Sequence, residues 1–326
     1  MISFENLILI TLLSPLLVCL LTPLLSSKPI LRDILGPLGG IISSWGAIQL
    51  MASILNGEQP RLELLQIAEG ISISFVVTPL GAIFGLVASV LWIFAAIYSV
   101  GYMRGNKEKN QTRFYIFYAM AVHAALCIAY AGDLLTLFIF YEVLTFSTYP
   151  LVTHKQNEMA QKAGRLYMSI LVGTSVILLL PAIIWVWVVT GSLEMSQNGV
   201  LDGKMNPDYA PYLLAMFVFG IGKAALMPIH KWLPAAMVAP TPVSALLHAV
   251  AVVKAGVFTM LLILTNVFGI DFLSKTGASN WLVWLASFTL LTTSIIAIYK
   301  DDIKARLAYS TISQLSYITL GGALAS

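Results

Sequence analysis

Long apolar stretches separated by short polar connections make up most of the chain. The stretches are continuous and show no alternation of polar and apolar positions, so they predict helices rather than strands. A bilayer core of about 30 Å is crossed by about 20 helical residues. We therefore predict ten membrane-spanning helices, near residues 6–27, 34–56, 72–103, 114–131, 133–152, 166–191, 210–238, 241–265, 281–299 and 307–325.

Two of these stretches, 72–103 and 210–238, are too long for one straight span. Tilt, an extension beyond the bilayer or a break must absorb the excess. Pro228 and Pro234 lie within the seventh stretch, and Pro240 and Pro242 precede the eighth. Since proline removes a helical hydrogen bond and kinks or ends a helix, we predict that the seventh helix is broken near 228–234.

The composition agrees with a membrane protein. Of the 326 residues, 59% are hydrophobic and only 10% are charged, whereas a soluble domain carries about 25% charged residues. The predicted fold is an all-α, polytopic transmembrane helix bundle, whose surroundings are the lipid bilayer. This excludes a cytosolic enzyme and a nucleic-acid partner. The sequence offers no catalytic triad, cofactor motif or metal-ligand cluster, and Cys19 and Cys127 are expected to be packing residues.

The Lys and Arg residues of the predicted connections are unevenly divided between the two sides of the bundle. One set of connections holds twelve of them, and the opposite set holds three together with seven acidic residues. Because cytoplasmic connections are enriched in Lys and Arg, both termini are expected to face outward. The twelve are Lys28, Arg32, Arg104, Lys107, Lys109, Arg113, Lys155, Lys162, Arg165, Lys300, Lys304 and Arg306; the three are Arg61, Lys204 and Lys275.

A few ionisable residues lie inside the predicted spans rather than between them. Glu142 and Lys223 are each in mid-helix, and Lys254 follows His248 by six residues on the eighth helix. A charge at the membrane centre costs from about 3 to more than 10 kcal/mol, so such residues face the bundle interior and mark ion or proton paths. A proton path through the bundle is the prediction that follows.

Each of these residues also has a structural interpretation. Glu142 and Lys223 could form a purely structural ion pair between helices. Lys254 could extend its amine to the interface, and His248 could be a hydrogen-bonded packing residue. His230, a secondary candidate, could anchor the broken segment at the interface together with Lys231. His123 is expected to pack, and Asp133 to cap a helix at the membrane edge.

A small motion would be enough to give the pair Glu142 and Lys223 a role in proton transfer. At an effective dielectric constant of 20 and a separation of about 7 Å, a carboxylate and an ammonium attract by about 2.4 kcal/mol. Moving Glu142 toward or away from Lys223 would therefore favour the holding or the release of a proton.

The proline-containing run is distinctive enough to indicate a family. The segment from Lys223 to His248, KAALMPIHKWLPAAMVAPTPVSALLH, resembles the signature of the antiporter-like subunits of respiratory complex I, membrane-bound hydrogenases and Mrp-type sodium/proton antiporters. Gly101–Gly105, Tyr141-Glu142 and Asp302–Gln314 look similar as well. The run VSALLH, followed by VKAG, looks most like the Mrp A-type and complex I L-type subunits.

The resemblance implies roles for the buried charges. Glu142 would pair with Lys223 on the broken helix, and His248 with Lys254 would pass protons laterally. The family has about fourteen helices in inverted five-helix repeats. The expected segments are 1–113 (three helices), 114–265 (a first repeat with its broken helix) and 266–326 (the start of a second repeat). The sequence ends after the tenth predicted helix, so that second repeat is expected to be incomplete.

The combined prediction is a proton-translocating subunit of an Mrp-type antiporter or a complex I-like assembly in a prokaryotic inner or plasma membrane. Its partners would be other membrane subunits and its cargo would be protons, whereas transport of Na⁺ is left open; no cofactor is expected. Two alternatives stay open: a structural subunit that transports nothing, and an energy-coupling subunit for another substrate such as inorganic carbon.

Overall fold

The computed structural model describes residues 3–325, apart from the side chains at positions 249 and 250. Helices dominate, with one β-hairpin between the second and third. The elements are α1 (Phe4–Leu21), α2 (Pro29–Leu55), β1 (Arg61–Ala68), β2 (Ile71–Val76), α3 (Pro79–Gly105), α4 (Gln111–Ala129), α5 (Leu134–Val152), α6 (Glu158–Thr190), α7 (Ala210–Gly220), α8 (Trp232–Ala235), α9 (Thr241–Phe268), α10 (Ile270–Thr276), α11 (Asn280–Ile298) and α12 (Ile303–Leu324).

The helices match the predicted spans closely. Eight helices of the described chain, α1 to α6, α9 and α11, are long and apolar enough to cross a membrane. The seventh predicted span is interrupted after α7, and the tenth corresponds to α12. The prediction of an all-α polytopic bundle with a broken seventh helix is therefore confirmed.

The two largest differences from the predicted boundaries lie at the starts of the third and sixth spans. The third span does not begin at 72, because residues 71–76 form β2 and α3 starts at Pro79. The sequence Ile-Ser-Ile-Ser-Phe-Val alternates at first, which suits a strand, and Thr78 caps α3 by accepting a hydrogen bond from Gly81 N. The sixth helix begins at Glu158 instead of 166, so Lys162 and Arg165 lie on a helix and not in a connection.

The chain forms two compact units. The first contains residues 1–67, 72–157 and 239–252, and the second contains residues 68–71, 158–238 and 253–326. Helices α1 to α5 with the first part of α9 belong to the first unit. Helices α6 to α8, the rest of α9 and α10 to α12 belong to the second.

Small residues let α1 and α2 pack closely in the first unit. Ser14 Oγ donates a hydrogen bond to Gly39 O at 2.7 Å, and Ser43 Oγ donates to Thr11 O at 2.8 Å. A Cβ at Gly46 would overlap Thr11 Oγ1. In hydrocarbon, close approach and hydrogen bonds between helices replace the hydrophobic effect as the source of association.

A buried carboxylate joins the β-hairpin to the start of α5. Asp133 is fully buried, and its Oδ1 accepts a hydrogen bond from Thr136 N at 2.7 Å. Its Oδ2 accepts from Ser74 N at 3.0 Å, Ser74 Oγ at 2.8 Å and Thr136 Oγ1 at 2.7 Å. The expected helix cap is thus confirmed, and it also fixes β2 against the helix that carries Glu142.

His154 marks the opposite end of α5 in the first unit. Burial, and then the positive charge of Arg113, lower the pKa of His154 from its usual value of 6.5. Phe114 packs edge-on against the His154 ring, with 5.6 Å between the ring centroids. Arg113 Nη2 donates a hydrogen bond to the backbone oxygen of His154. The imidazole is therefore neutral near pH 7.

In the second unit, α6 packs against α7 and α8, and α11 packs against α12. The interrupted stretch between α7 and α8 contacts both α6 and α12. Ser294 of α11 and Ser313 of α12 are hydrogen-bonded through their hydroxyls at 2.7 Å. These helices form the surroundings of the interruption.

Replacing Asp133 by Ala should reduce the free energy of unfolding by about 2–4 kcal/mol, because it removes a helix cap and leaves Ser74 N–H with fewer acceptors. The measurement is a reversible denaturant titration in mixed micelles. Asp302→Ala is the matched control, since Asp302 caps α12 by accepting from Ala305 N at an exposed site. An equal loss in both variants would contradict the tethering role of Asp133.

Candidate functional site

The interruption between α7 and α8 places Lys223 outside any α-helix. Helix α7 ends at Gly220, and short 3₁₀ turns follow at Gly222–Ala224 and Ile229–Lys231. Ala225 between them has a φ of +56°, in the left-handed region that ends a helix. The break thus starts before Pro228, earlier than the prolines alone suggested.

The side chain of Lys223 is fully buried, with 0% of its surface exposed. A lysine is almost never buried to this extent without a partner, because removing an ammonium from water is costly. The unwound backbone around it supplies carbonyl groups that no α-helical ladder uses. Among the described residues of the second unit, no other Lys, Arg, Asp or Glu side chain is buried to this extent.

Two side chains satisfy backbone groups that the break releases. Trp232 Nε1 donates a hydrogen bond to Gly222 O at 2.9 Å, and Tyr167 of α6 packs edge-on against the Trp232 ring. On the other side of Pro228, Met227 N donates to Thr289 Oγ1 of α11 at 3.3 Å. Irregular backbone at membrane depth is stable where protein groups replace the lost hydrogen bonds.

Glycines bring neighbouring helices against the unwound backbone. A Cβ at Gly256 of α9 would overlap the backbone of Lys223 and Ala224. A Cβ at Gly222 would lie 2.6 Å from Thr174 Oγ1 of α6. Lys254 is half-buried on α9, two positions before Gly256, and so starts from a different face of that helix. The backbone of Lys223 thus packs against the face of α9 that carries Gly256, and Lys254 lies on another face of the same helix.

His230 lies at the other end of the interruption. It is 9% exposed, and its ring centroid is 6.3 Å from that of Tyr309 on α12. Lys300 Nζ lies 5.7 Å from the centroid of the same tyrosine ring. A histidine, an aromatic ring and an exposed lysine therefore follow one another from the interruption toward the start of α12.

Glu142 and His248 belong to the first unit. Both carboxylate oxygens of Glu142 are buried, and neither has a hydrogen-bond partner among the described residues. His248 is half-buried in the π-helical turn Leu246–Val250 of α9. Because Glu142 and Lys223 belong to different units, their pairing stays a prediction.

Several polar contacts could not be expected from the sequence. Trp232 carried a weak signal, since a buried tryptophan needs an acceptor for its N–H. Thr289 carried none, because threonines are common in membrane helices.

His123 packs as expected: its Nδ1 is 2.8 Å from Leu12 O, and its ring meets that of Phe140 edge-on at 5.7 Å.

Comparison with protein families gives two matches. Residues 131–326 match the family described as "NADH:quinone oxidoreductase/Mrp antiporter, TM", and residues 65–115 match "NADH-Ubiquinone oxidoreductase (complex I), chain 5 N-terminus". The first match covers more than half of the chain. The chain belongs to the NADH:quinone oxidoreductase/Mrp antiporter family.

Curated relatives of this family member are longer proteins. A putative antiporter subunit mnhA2 of Staphylococcus haemolyticus is 26% identical over 320 residues, which cover 95% of this chain and 39% of the relative. The subunit of the same description from Staphylococcus aureus is 32% identical over 245 residues, covering 73% of this chain and 29% of the relative. The chain thus spans about two fifths or less of these relatives.

Solved structures share the fold of this Mrp/complex I-type chain. One is the membrane-bound sulfane sulfur reductase, an archaeal respiratory membrane complex, with a TM-score of 0.84 and 22% identity over 97% of this chain and 64% of that chain. The other is the Mrp complex of Dietzia sp. DQ12-45-1b, with a TM-score of 0.84 and 23% identity over 98% of this chain and 34% of that chain.

The larger family match contains all of the candidate residues of this Mrp/complex I-type chain. Glu142, Lys223, His248 and Lys254 lie within residues 131–326, as do Pro228, Pro234 and His230. The segment that carries the buried lysine therefore lies within the part of the chain that matches the family.

Thr289→Val should loosen the interruption, because it removes the acceptor of Met227 N–H and leaves a partly buried donor unpaired. The expected loss in the free energy of unfolding is about 1–3 kcal/mol, together with faster hydrogen exchange in residues 221–231, while Thr289→Ser should behave like the parent. The control is Thr293→Val, since Thr293 donates to Thr289 O within its own helix. Unchanged exchange in Thr289→Val would show that this contact does not hold the segment.

Proposed function

We propose that this chain is a proton-translocating membrane subunit of an Mrp-type cation/proton antiporter or a complex I-like assembly. Lys223 acts as the residue that holds and releases the proton. The observation that carries the proposal is the complete burial of Lys223 in an unwound segment between two helices. Broken helices that expose backbone dipoles beside a buried charge are how transporters form midplane ion sites.

Glu142 sets the balance between the two states of Lys223. Its carboxylate oxygens are buried and accept no hydrogen bond from the described residues, so its charge is not already neutralised by local donors. A negative charge of this kind acts on a nearby ammonium over several ångströms in a medium of low dielectric constant. Glu142 therefore stabilises Lys223 in its protonated form when the two approach.

His248 and Lys254 carry protons laterally along α9. Both are half-buried; His248 lies within the π-helical turn Leu246–Val250, and Lys254 follows it by six positions. Such turns widen a helix locally and are frequent at functional sites. His230 is a secondary member, because it connects the interruption to Tyr309.

The chain works with other membrane subunits in a prokaryotic inner or plasma membrane, with both termini outward. The relatives are described as antiporter subunits, and the two solved structures are complexes. Quinone or nucleotide chemistry, where the assembly has it, resides in partner subunits. Protons are the proposed cargo, and Na⁺ is the counter-ion to test in the same assay.

Lys223→Ala in the native assembly should reduce proton flux at least tenfold, because the alanine cannot hold a proton. Flux is measured in vesicles with a pH-sensitive dye, and assembly is checked by co-purification of the subunits. Lys162→Ala is the control, since Lys162 is an exposed lysine that pairs with Glu158 on the surface of α6. Normal flux through an intact Lys223→Ala assembly would reject the role of Lys223.

Glu142→Gln should move the pH dependence of transport to lower pH. Without the negative charge, Lys223 loses its proton at lower pH, so the alkaline limb of the profile is expected to shift by about one to two pH units. The profile is compared with that of Glu158→Gln, which removes an exposed carboxylate. An unaltered profile with intact assembly would indicate that Glu142 has a structural role.

A further inference from the structure

A cluster of three charged side chains joins α2, α3 and α4 at one end of the first unit. Asp33 is flanked by two arginines: Arg32 Nη2 lies 2.8 Å from Oδ1, and Arg104 Nη2 lies 2.6 Å from Oδ2. Arg32 also donates to Gln111 and Thr112 at the start of α4. Both arginines lie within helices and not in the connections predicted from the sequence. Two cations sharing one carboxylate leave the cluster with net positive charge.

The two arginines differ in how accessible they are. The side chain of Arg32 is 7% exposed and that of Asp33 is 4% exposed, whereas the side chain of Arg104 is 46% exposed. The Nε and Nη2 atoms of Arg104 both interact with the Asp33 carboxylate, whereas a guanidinium has five N–H donors in all. Arg104 therefore retains donors that can bind a second anion.

A groove between α2 and α3 leads away from Arg104. Its volume is about 380 Å³. Its α2 wall carries a row of exposed aliphatic side chains at helical spacing, and Arg104 and Asp33 lie at its end. Eleven helical residues separate Ile30 from Ile41, which is about 16 Å. The lining residues are Ile30, Asp33, Ile34, Pro37, Leu38, Ile41, Ile97, Val100 and Arg104.

We propose that this groove binds an anionic phospholipid, with an acyl chain along the aliphatic row and the headgroup phosphate on Arg104. Charge complementarity favours this occupant, because the end of the first unit that contains Arg104 holds seven Lys or Arg residues and two acidic ones. Arginine binds phosphate in a bidentate manner. The seven basic residues at this end are Lys28, Arg32, Arg104, Lys107, Lys109, Arg113 and Lys155, and the two acidic residues are Asp33 and Glu108.

The proposal is independent of proton transport, because it rests on residues of α2 and α3. Native mass spectrometry of the intact assembly, released from nanodiscs of equal phosphatidylglycerol and phosphatidylcholine, counts the lipids that remain bound. Arg104→Gln should reduce retained phosphatidylglycerol at least fivefold, whereas Arg104→Lys should retain most of it. Lys162→Gln, which removes an exposed cation of α6 outside this cluster, should retain it fully.

A second variant tests the groove without disturbing the ion pairs. Leu38 is 48% exposed, so Leu38→Trp fills the groove without entering the core and should also lower phosphatidylglycerol retention. Unchanged retention in both Arg104→Gln and Leu38→Trp would overturn the proposal. Equal retention of the two lipids by the parent chain, or cross-linking from a photoreactive residue at Ile41 to a protein subunit instead of lipid, would overturn it as well.

Discussion

In hydrocarbon, each backbone N–H and C=O group needs a partner supplied by the protein, and this constraint governs the interruption around Lys223. The α-helical ladder stops at Gly220. The hydrogen bonds from Trp232 to Gly222 O and from Met227 N to Thr289 replace part of what is lost. Since each unpaired backbone group would cost several kcal/mol, these contacts are a condition for keeping a lysine on non-helical backbone at this depth.

Two carboxylates on α5 illustrate different uses of buried charge. Asp133, at the start of the helix, accepts four hydrogen bonds from Ser74 and Thr136, so its charge is spread over local donors. Glu142, nine residues further along, accepts none from the described residues although both oxygens are buried. A carboxylate with four donors is suited to fix a helix in place, whereas one without donors is free to respond to a charge that approaches it.

The hydropathy pattern predicted the helices well because bilayer thickness leaves few ways to arrange apolar runs. It placed the start of α3 wrongly, since the alternation at residues 71–74 is too short to stand out before the long apolar run that follows. Pro228 indicated the break, but Thr289 lies 62 residues away from Met227 and gave no signal. Arg32 and Arg104 looked like connection charges because their shared partner, Asp33, is identified only when α2 and α3 are packed together.

Glycines let two helices pack closely against the interruption around Lys223. Gly256 brings α9 against the backbone of Lys223, and Gly222 brings Thr174 of α6 against the same turn. A Cβ at Gly220 would overlap the backbone of Leu179, the last residue of the π-helical turn of α6. The backbone of the lysine is thus enclosed by two helices. The main chain is thus held in place by tight packing, and the proposed proton exchange would take place at the amine at the far end of the Lys223 side chain.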